Sequence, residues 1–266
     1  MSTKDEKQPI NWSALTSVSF AGLQVAVIAG VAVAVVVVSE LVVRAWDIPS
    51  YVFPLPSEIA SALYRSFPLL WPHLLVTLQE LGLGYAIGAV AGILLAALIT
   101  QFPFVEKIVT PYILILVTTP MLALVPLLIL KFGFGQTPRV IAVALAVGPM
   151  VMINAATGFR RTDLAKIALA RSYGASTLQI FYKVRFPLAL PMIIVGLMVG
   201  GIFGLLTAIG AEMVGGGSGL GNRLVYYSSL ARMSSFFAVI ILIAAIGVGL
   251  YVAFYLIGKK WANWES

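Results

Sequence analysis

Residues 158–191 read GFRRTDLAKIALARSYGASTLQIFYKVRFPLALP, and they form the longest polar interruption in a very apolar chain. The segment carries six of the seventeen lysines and arginines but only one acid. Thr162 is expected to cap a short helix, and Gly174 is expected to follow the end of that helix. Ser176 and Gln179 have the spacing of a capping box, which would open a second helix. Such a unit, held between two membrane spans, is suited to dock a partner.

The composition identifies a polytopic membrane protein. Of the 266 residues, 61% are hydrophobic and 10% are charged, whereas soluble proteins carry about 25% charged residues. A chain of this length holds about six spans of roughly 20 residues, with little left for a soluble domain. We therefore expect an all-α membrane protein with six transmembrane helices.

Six apolar segments are long enough to cross a bilayer. They comprise residues 23–43, 74–100, 108–130, 139–156, 188–209 and 236–257. The expected organisation is an N-terminal tail over residues 1–22 and a transmembrane domain over residues 23–266. The polar segment forms a central loop at residues 159–187. No cleavable signal is expected, because the first apolar run is longer than a signal-peptide core.

Prolines interrupt this pattern at two places. Between the first two spans, Pro49, Pro54 and Pro56 exclude a continuous helix, and Ser57 is expected to cap a short helix at the membrane surface. The third span contains Pro111, Pro120 and Pro126. Each proline frees a backbone carbonyl, which within lipid must find another partner or line a cavity. This span is therefore either a translocation-path helix or a kinked packing element.

Several ionisable residues lie close to the spans. Glu80 is expected to face protein or a water-filled path, or else to lie at the headgroups. Lys131 and Arg139 are interpreted as snorkelling chain ends, with attraction of an anionic substrate as the alternative. His73 is interpreted as an interfacial histidine, because the chain has no second histidine with which to bind a metal.

The basic residues are distributed unequally across the expected spans. With the N-terminus inside, eleven lysines and arginines lie on the cytoplasmic side and six lie on the other side. Positive charge marks the cytoplasmic side of membrane proteins. Both termini and the central loop are therefore predicted to be cytoplasmic.

Two other classes of function fit the residues less well. A membrane enzyme is disfavoured because the sequence has no cysteine, one histidine, no carboxylates paired within a helix turn and no nucleophile elbow. A secondary transporter could use Glu80 and Glu212 as ion sites. It would need more intramembrane polar groups, however, and no internal repeat is evident.

The central loop resembles the EAA loop of ABC importer permeases. The residues that carry the shared spacing are Ala168-Leu169-Ala170, Gly174, Val184 and Phe186-Pro187. The segments IPSYVFPLPSEI, TPMLALVPLLILKFGFG, ARSYGAS and AEMVGGGSGLG also follow the order found in the nitrate, sulfonate and taurine group of these permeases. The resemblance covers the chain from about Trp46 to the C-terminus.

The resemblance implies the type I ABC importer permease fold, with cytoplasmic coupling helices in the central loop. The residues implied to contact the ATPase are Ala168, Ala170, Arg171, Gly174 and Ala175. Ala168 stands where the motif has a glutamate, so any charge-assisted contact from that glutamate is absent. The implied assembly is a homodimer in the bacterial inner membrane, joined by two ATPase subunits, which bind ATP and Mg, and an external binding protein. No catalytic residue, metal, cofactor or nucleic acid is implied for the permease chain itself.

The resemblance also implies a translocation path through the pair of permeases. The path residues are expected to be Thr118, Thr119, Pro120, Met121, Pro126, Thr207, Glu212 and Met213. For Glu212 the alternative is that its carboxylate bonds backbone amides of the glycine-rich segment that follows. The expected substrate is a small anion such as a sulfonate, taurine or nitrate, with a vitamin or aromatic precursor as the alternative.

Overall fold

The computed structural model describes the backbone of residues 12–261 and the side chains of residues 26–260. Within those limits every regular element is helical. The helices are α1 (Trp12–Ala45), α2 (Pro56–Gln101), α3 (Pro103–Thr118), α4 (Met121–Phe132), α5 (Gln136–Arg160), α6 (Leu164–Ser172), α7 (Thr177–Ile180), a π-helical turn (Phe181–Arg185), α8 (Phe186–Gly215), α9 (Leu220–Ser229) and α10 (Met233–Trp261). Helix α1 begins within the segment expected as a tail, whose residues 1–11 lie outside the described part.

Five of these helices, α1, α2, α5, α8 and α10, contain stretches long and apolar enough to cross a membrane. The sixth candidate is the pair of α3 and α4, which meet at a bend of 99°. Whether this pair crosses the membrane depends on the directions of α2 and α5, the helices on either side of it in sequence.

Helices α2 and α5 pack closely through glycines and run in the same direction. A Cβ atom added at Gly84 would lie 2.6 Å from the Cβ of Val143, and one added at Gly92 would lie 2.5 Å from the carbonyl oxygen of Gly148. Small residues allow this close approach between helices. Because α2 and α5 run in the same direction, α3 and α4 must carry the chain back across the membrane. The expected six crossings and all-α fold class are confirmed.

Helix α8 packs antiparallel to α5 and completes the core of the bundle. A Cβ added at Gly158 would lie 3.0 Å from the carbonyl oxygen of Ala189, and one at Gly204 would lie 2.9 Å from Cγ2 of Val147. Helices α9 and α10 close over the same core. One end of the bundle therefore holds the central loop, the ends of α2 and α5 and the start of α8. The end of α10 lies there too, because Gly258 packs against Ile194 of α8. We call this the loop end.

The expectation of a separate surface helix before the second span is wrong. Helix α2 begins at Pro56 and continues for 46 residues through Pro68 and Pro72. Proline is well suited to the first position of a helix, where its missing amide hydrogen would have no partner. Ser57 does not cap this helix. Its amide and hydroxyl instead donate to the carboxylate of Glu40 on α1, at 3.1 and 2.8 Å.

The third span is broken rather than continuous over residues 108–130. The break falls at Thr119 and Pro120, while Pro111 and Pro126 lie inside helices α3 and α4. Thr119 has φ −79° and ψ 123°, an extended conformation. A following proline disfavours the helical conformation in the residue before it, which explains why the helix stops there.

Candidate functional site

A cavity of about 280 Å³ opens beside the break between α3 and α4. We call it the central cavity. Helices α5 and α8 supply the opposite walls, with Met150 from α5 and Phe203 from α8 among the lining residues. Met150 lies near the middle of α5, so the cavity is placed about halfway across the bundle.

Four of the eight residues expected on a translocation path line the central cavity. They are Thr119, Pro120, Met121 and Thr207. Pro126 is exposed on α4 away from the cavity, and Thr118 is exposed with its hydroxyl donated to the carbonyl of Leu114 at 2.9 Å. Met213 lies exposed farther along α8, beyond the cavity.

Sequence reasoning missed the cavity walls that α5 contributes. Pro149 and Met150 line the cavity, although the fourth span was not expected on the path. The proline within that span was the available signal, because it frees a carbonyl in the same way as the prolines of the third span.

Glu212 lies outside the central cavity, in a buried polar network at the end of the bundle opposite the loop end. Its carboxylate accepts hydrogen bonds from the hydroxyl of Thr77 at 2.7 Å and from the amide of Gly221 at 2.6 Å. The bond to Gly221 agrees with the alternative interpretation, in which Glu212 bonds backbone amides of the glycine-rich segment. This carboxylate therefore fastens that segment to the bundle.

Arg139 belongs to the same network. Its guanidinium lies 2.8 Å from the carboxylate of Glu80 and donates to the carbonyl oxygens of Gly216 and Ser218. The Arg139 side chain is 3% exposed and that of Glu80 is fully buried. The interpretation of Arg139 as a snorkelling end is therefore wrong, and Glu80 faces protein, which agrees with the first of its two interpretations.

His73 lies beside this polar network, on the side of α9. Its Nε2 accepts a hydrogen bond from Nε of Arg223 at 2.8 Å, and its Nδ1 faces the amide of Gly219 at 3.2 Å. His73 therefore lies against the start of α9, where its ring contacts Arg223.

The second candidate site is the central loop, which folds into α6, α7 and the π-helical turn. Gly174 has φ +77°, and the amides of Gly174 and Ala175 donate to the carbonyls of Arg171 and Ala170 at 2.9 and 3.1 Å. These two bonds define a Schellman motif, which ends α6 at the glycine as predicted.

One of the two helix caps that were predicted for the central loop is present. The expected capping box is present, with the Gln179 amide donating to Oγ of Ser176 at 3.3 Å and the Ser176 amide donating to Oε1 of Gln179 at 2.8 Å. The expected cap of α6 is wrong. Asp163 caps that helix. The Thr162 hydroxyl instead donates to the carbonyl of Phe159 at the end of α5.

The central loop exposes large apolar side chains. Leu164, Leu169, Tyr173, Leu178 and Tyr182 are each 58–84% exposed. Among the residues expected to contact an ATPase, Ala168, Arg171 and Gly174 are exposed, whereas Ala170 and Ala175 are half-buried. The loop therefore presents an apolar surface interspersed with basic side chains.

Comparison with known proteins connects the chain to membrane transport. The sequence pattern of the family described as binding-protein-dependent transport system inner membrane component matches residues 88–263. A protein of Haemophilus influenzae named as an ABC transporter permease is 30% identical over 212 residues, which cover 80% of this chain and 86% of that protein.

Other relatives carry the names of their substrates. A permease of Escherichia coli named for aliphatic sulfonates transport is 30% identical over 88% of this chain and 89% of its own length. A permease of Chloroflexus aurantiacus named for riboflavin transport is 28% identical over 82% of each chain. The names therefore include both an anionic and an aromatic substrate.

A solved structure shares the fold. A chain in the MetNI methionine ABC transporter, in an inward-facing conformation, matches with a TM-score of 0.61 at 20% identity. The match covers 76% of this chain and 96% of that chain. The helical arrangement is therefore that of type I ABC importer permeases.

Proposed function

This chain belongs to the family of binding-protein-dependent transport system inner membrane components, and we propose that it forms the translocation path of an ATP-driven importer. In this proposal two copies of the chain face each other around the path, and two ATPase subunits bind ATP and Mg from the cytoplasmic side. An external binding protein delivers the substrate, and both termini of this chain are cytoplasmic.

The observation that carries the proposal is the exposed surface of the central loop. Large apolar side chains are costly to leave in water, and a group of them on one small unit is typical of a protein interaction site. Tyr173 and Tyr182 can act as anchors, since aromatic residues dominate the energetics of interfaces. The surrounding lysines and arginines would pair with acidic groups of the ATPase.

The loop is connected to the helices that line the central cavity. Only three residues separate α5 from α6, and the π-helical turn leads directly into α8. The Phe159 ring at the end of α5 lies 5.2 Å from the Phe181 ring and 6.4 Å from the Phe186 ring, between ring centroids. A displacement of the loop by an ATPase would thus reach both α5 and α8 and change the cavity walls.

The test is a measurement of the affinity between the purified chain and its partner ATPase. Tyr173→Ser should weaken this affinity by about thirtyfold, because truncating an interface anchor costs about 2 kcal/mol. Tyr64→Ser is the matched control, since Tyr64 and Tyr173 are both 84% exposed and lie at opposite ends of the bundle.

Equal affinities for the two variants would contradict the proposal that the central loop is the ATPase contact. The complete complex should also hydrolyse ATP and transport substrate, whereas the chain alone should do neither. ATP-independent transport by the chain alone would favour the secondary transporter.

Two substrate classes have support among the relatives. The expected small anion has a counterpart in the permease named for aliphatic sulfonates, and the alternative aromatic precursor has one in the permease named for riboflavin. The lining of the central cavity favours the second class.

A further inference from the structure

The central cavity has an uncharged lining. Among the described residues that line it, none carries a charge. The buried Arg139 does not line the cavity and is paired with Glu80 at 2.8 Å. A second copy of the chain would add the same uncharged lining. An anion that left water here would meet no cationic side chain, which makes its transfer costly.

The hydroxyl groups of the cavity are arranged as acceptors. The Thr119 hydroxyl donates to the carbonyl of Ile115 at 2.7 Å, and the Thr207 hydroxyl donates to the carbonyl of Phe203 at 2.8 Å. A hydroxyl has one hydrogen, and here that hydrogen is already used within the helix. Its oxygen can therefore accept a hydrogen bond from a ligand while the hydroxyl donates within the helix.

Two prolines add carbonyl acceptors to the same cavity. Pro120 and Pro149 both line it, and neither has an amide hydrogen to donate to the carbonyl four residues earlier. Those carbonyls belong to Leu116 and Leu145, which also line the cavity. A carbonyl freed in this way can accept a hydrogen bond from an N–H group of a ligand, whereas a nitrate or sulfonate group has no hydrogen to donate to it.

The cavity also offers hydrogen-bond donors at the start of α4. That helix begins at Met121, and the first amides of a helix have no partner within it. A complementary ligand therefore carries both N–H groups and carbonyl or ring-nitrogen acceptors. One helix start favours negative charge by only about 0.3–1 kcal/mol, which is small beside the cost of taking an anion out of water.

The remaining walls suit a flat aromatic body. Phe203 can stack on a ring, and Met121 and Met150 provide sulfur atoms that make favourable contacts with ring edges. These side chains come from three different helices, so they can contact a ligand from more than one side.

We propose that the central cavity accepts an uncharged, planar heteroaromatic molecule with N–H and carbonyl groups, of the pyrimidine or flavin kind, in preference to a small anion. This inference rests on the proposed function, because it names the substrate class of the same path. It assigns Thr119 and Thr207 as specificity-determining acceptors.

The test uses proteoliposomes that contain the chain, its partner ATPase and its binding protein, with ATP on the ATPase side. The probes are radiolabelled riboflavin and an aminopyrimidine, compared with taurine, methanesulfonate and nitrate. We expect uptake of a heteroaromatic probe, and no uptake of the zwitterion taurine or of the anions methanesulfonate and nitrate. Uptake of a charged probe, or of no probe, by a complex that hydrolyses ATP overturns this inference and leaves the proposed function standing.

A pair of variants tests the cavity itself. Thr207→Val removes a hydroxyl acceptor and should lower heteroaromatic uptake about threefold to tenfold, compared at equal amounts of assembled complex. Thr157→Val is the matched control, because the Thr157 hydroxyl makes the same kind of bond, to Ile153 at 2.8 Å, outside the cavity. Equal uptake by the two variants overturns the cavity assignment. Failure of the chain to bind any ATPase would instead overturn the proposed function.

Discussion

Gly174 is a residue whose backbone conformation, and not its surroundings, limits what can replace it. Its φ is +77°, and no atom lies within 4 Å of the position that an added Cβ would occupy. A side chain would therefore meet no clash. The replacing residue would still have to adopt the left-handed backbone conformation. This conformation costs roughly 1–2 kcal/mol for most residues and more for β-branched ones.

Comparing two substitutions at Gly174 separates backbone strain from the presence of a side chain. Gly174→Val should disturb the turn between α6 and α7 and reduce ATP-driven uptake at least about tenfold, without loss of membrane insertion. Gly174→Asn should retain most uptake, since asparagine tolerates positive φ. Uptake and membrane-fraction content are measured together. If both variants transported normally, the turn would not be needed for coupling.

At the scale of residues, sequence separation decides what could be predicted. Ser176 and Gln179 are three residues apart, so their reciprocal hydrogen bonds are visible in the sequence as a capping box. Arg139 and Glu80 are separated by 59 residues, and their ion pair exists only because α2 and α5 pack together. The burial of Arg139 could not be predicted without that packing.

Among the elements, the broken pair of α3 and α4 has the clearest link to function. The bend of 99° exposes the central cavity, and it coincides with one of three prolines in the span. Pro111 and Pro126 are accommodated inside helices. The bend therefore arises from Pro120 together with the extended conformation of Thr119, and proline content alone does not predict it.

Restoring the missing amide at the break should test this explanation. Pro120→Ala gives the Leu116 carbonyl a helical partner and favours a straighter segment by about 3 kcal/mol, so uptake should fall more than about tenfold. Pro126→Ala is the control, because it restores a bond inside α4 without changing the helix direction. Initial uptake rates are compared at equal membrane content. Similar losses in both variants would mean that proline removal is harmful for some other reason.

Helix α2 shows why element boundaries were harder to predict than element types. The prolines at positions 49, 54 and 56 indicated a break, and the first two do precede the helix, whereas Pro56 is its first residue. Helix α2 nevertheless continues through Pro68 and Pro72 from its start to Gln101. The apolar character of residues 74–100 predicted a span, whereas the turns before it were too mixed in polarity to be assigned.

For the whole molecule, composition was enough to predict the fold class, whereas the packing of individual helices was not predictable. An apolar chain with about six spans led directly to an all-α membrane fold. The parallel packing of α2 on α5 was not predictable from any single span, because it depends on matching glycines and small residues on two helices. That packing nevertheless determines which residues of α3, α4, α5 and α8 meet at the central cavity.

The orientation of the whole molecule can be tested because the sequence contains no cysteine. Ser50→Cys places a thiol in the exposed turn between α1 and α2, and Ser172→Cys places one on the exposed end of α6. If basic residues hold the loop end in the cytoplasm, a membrane-impermeant thiol reagent should label only the Ser50→Cys variant in spheroplasts. Permeabilisation should make the Ser172→Cys variant equally reactive, which controls for the accessibility of the thiol. Labelling of the Ser172→Cys variant before permeabilisation would reverse the orientation and place the central loop out of reach of a cytoplasmic ATPase.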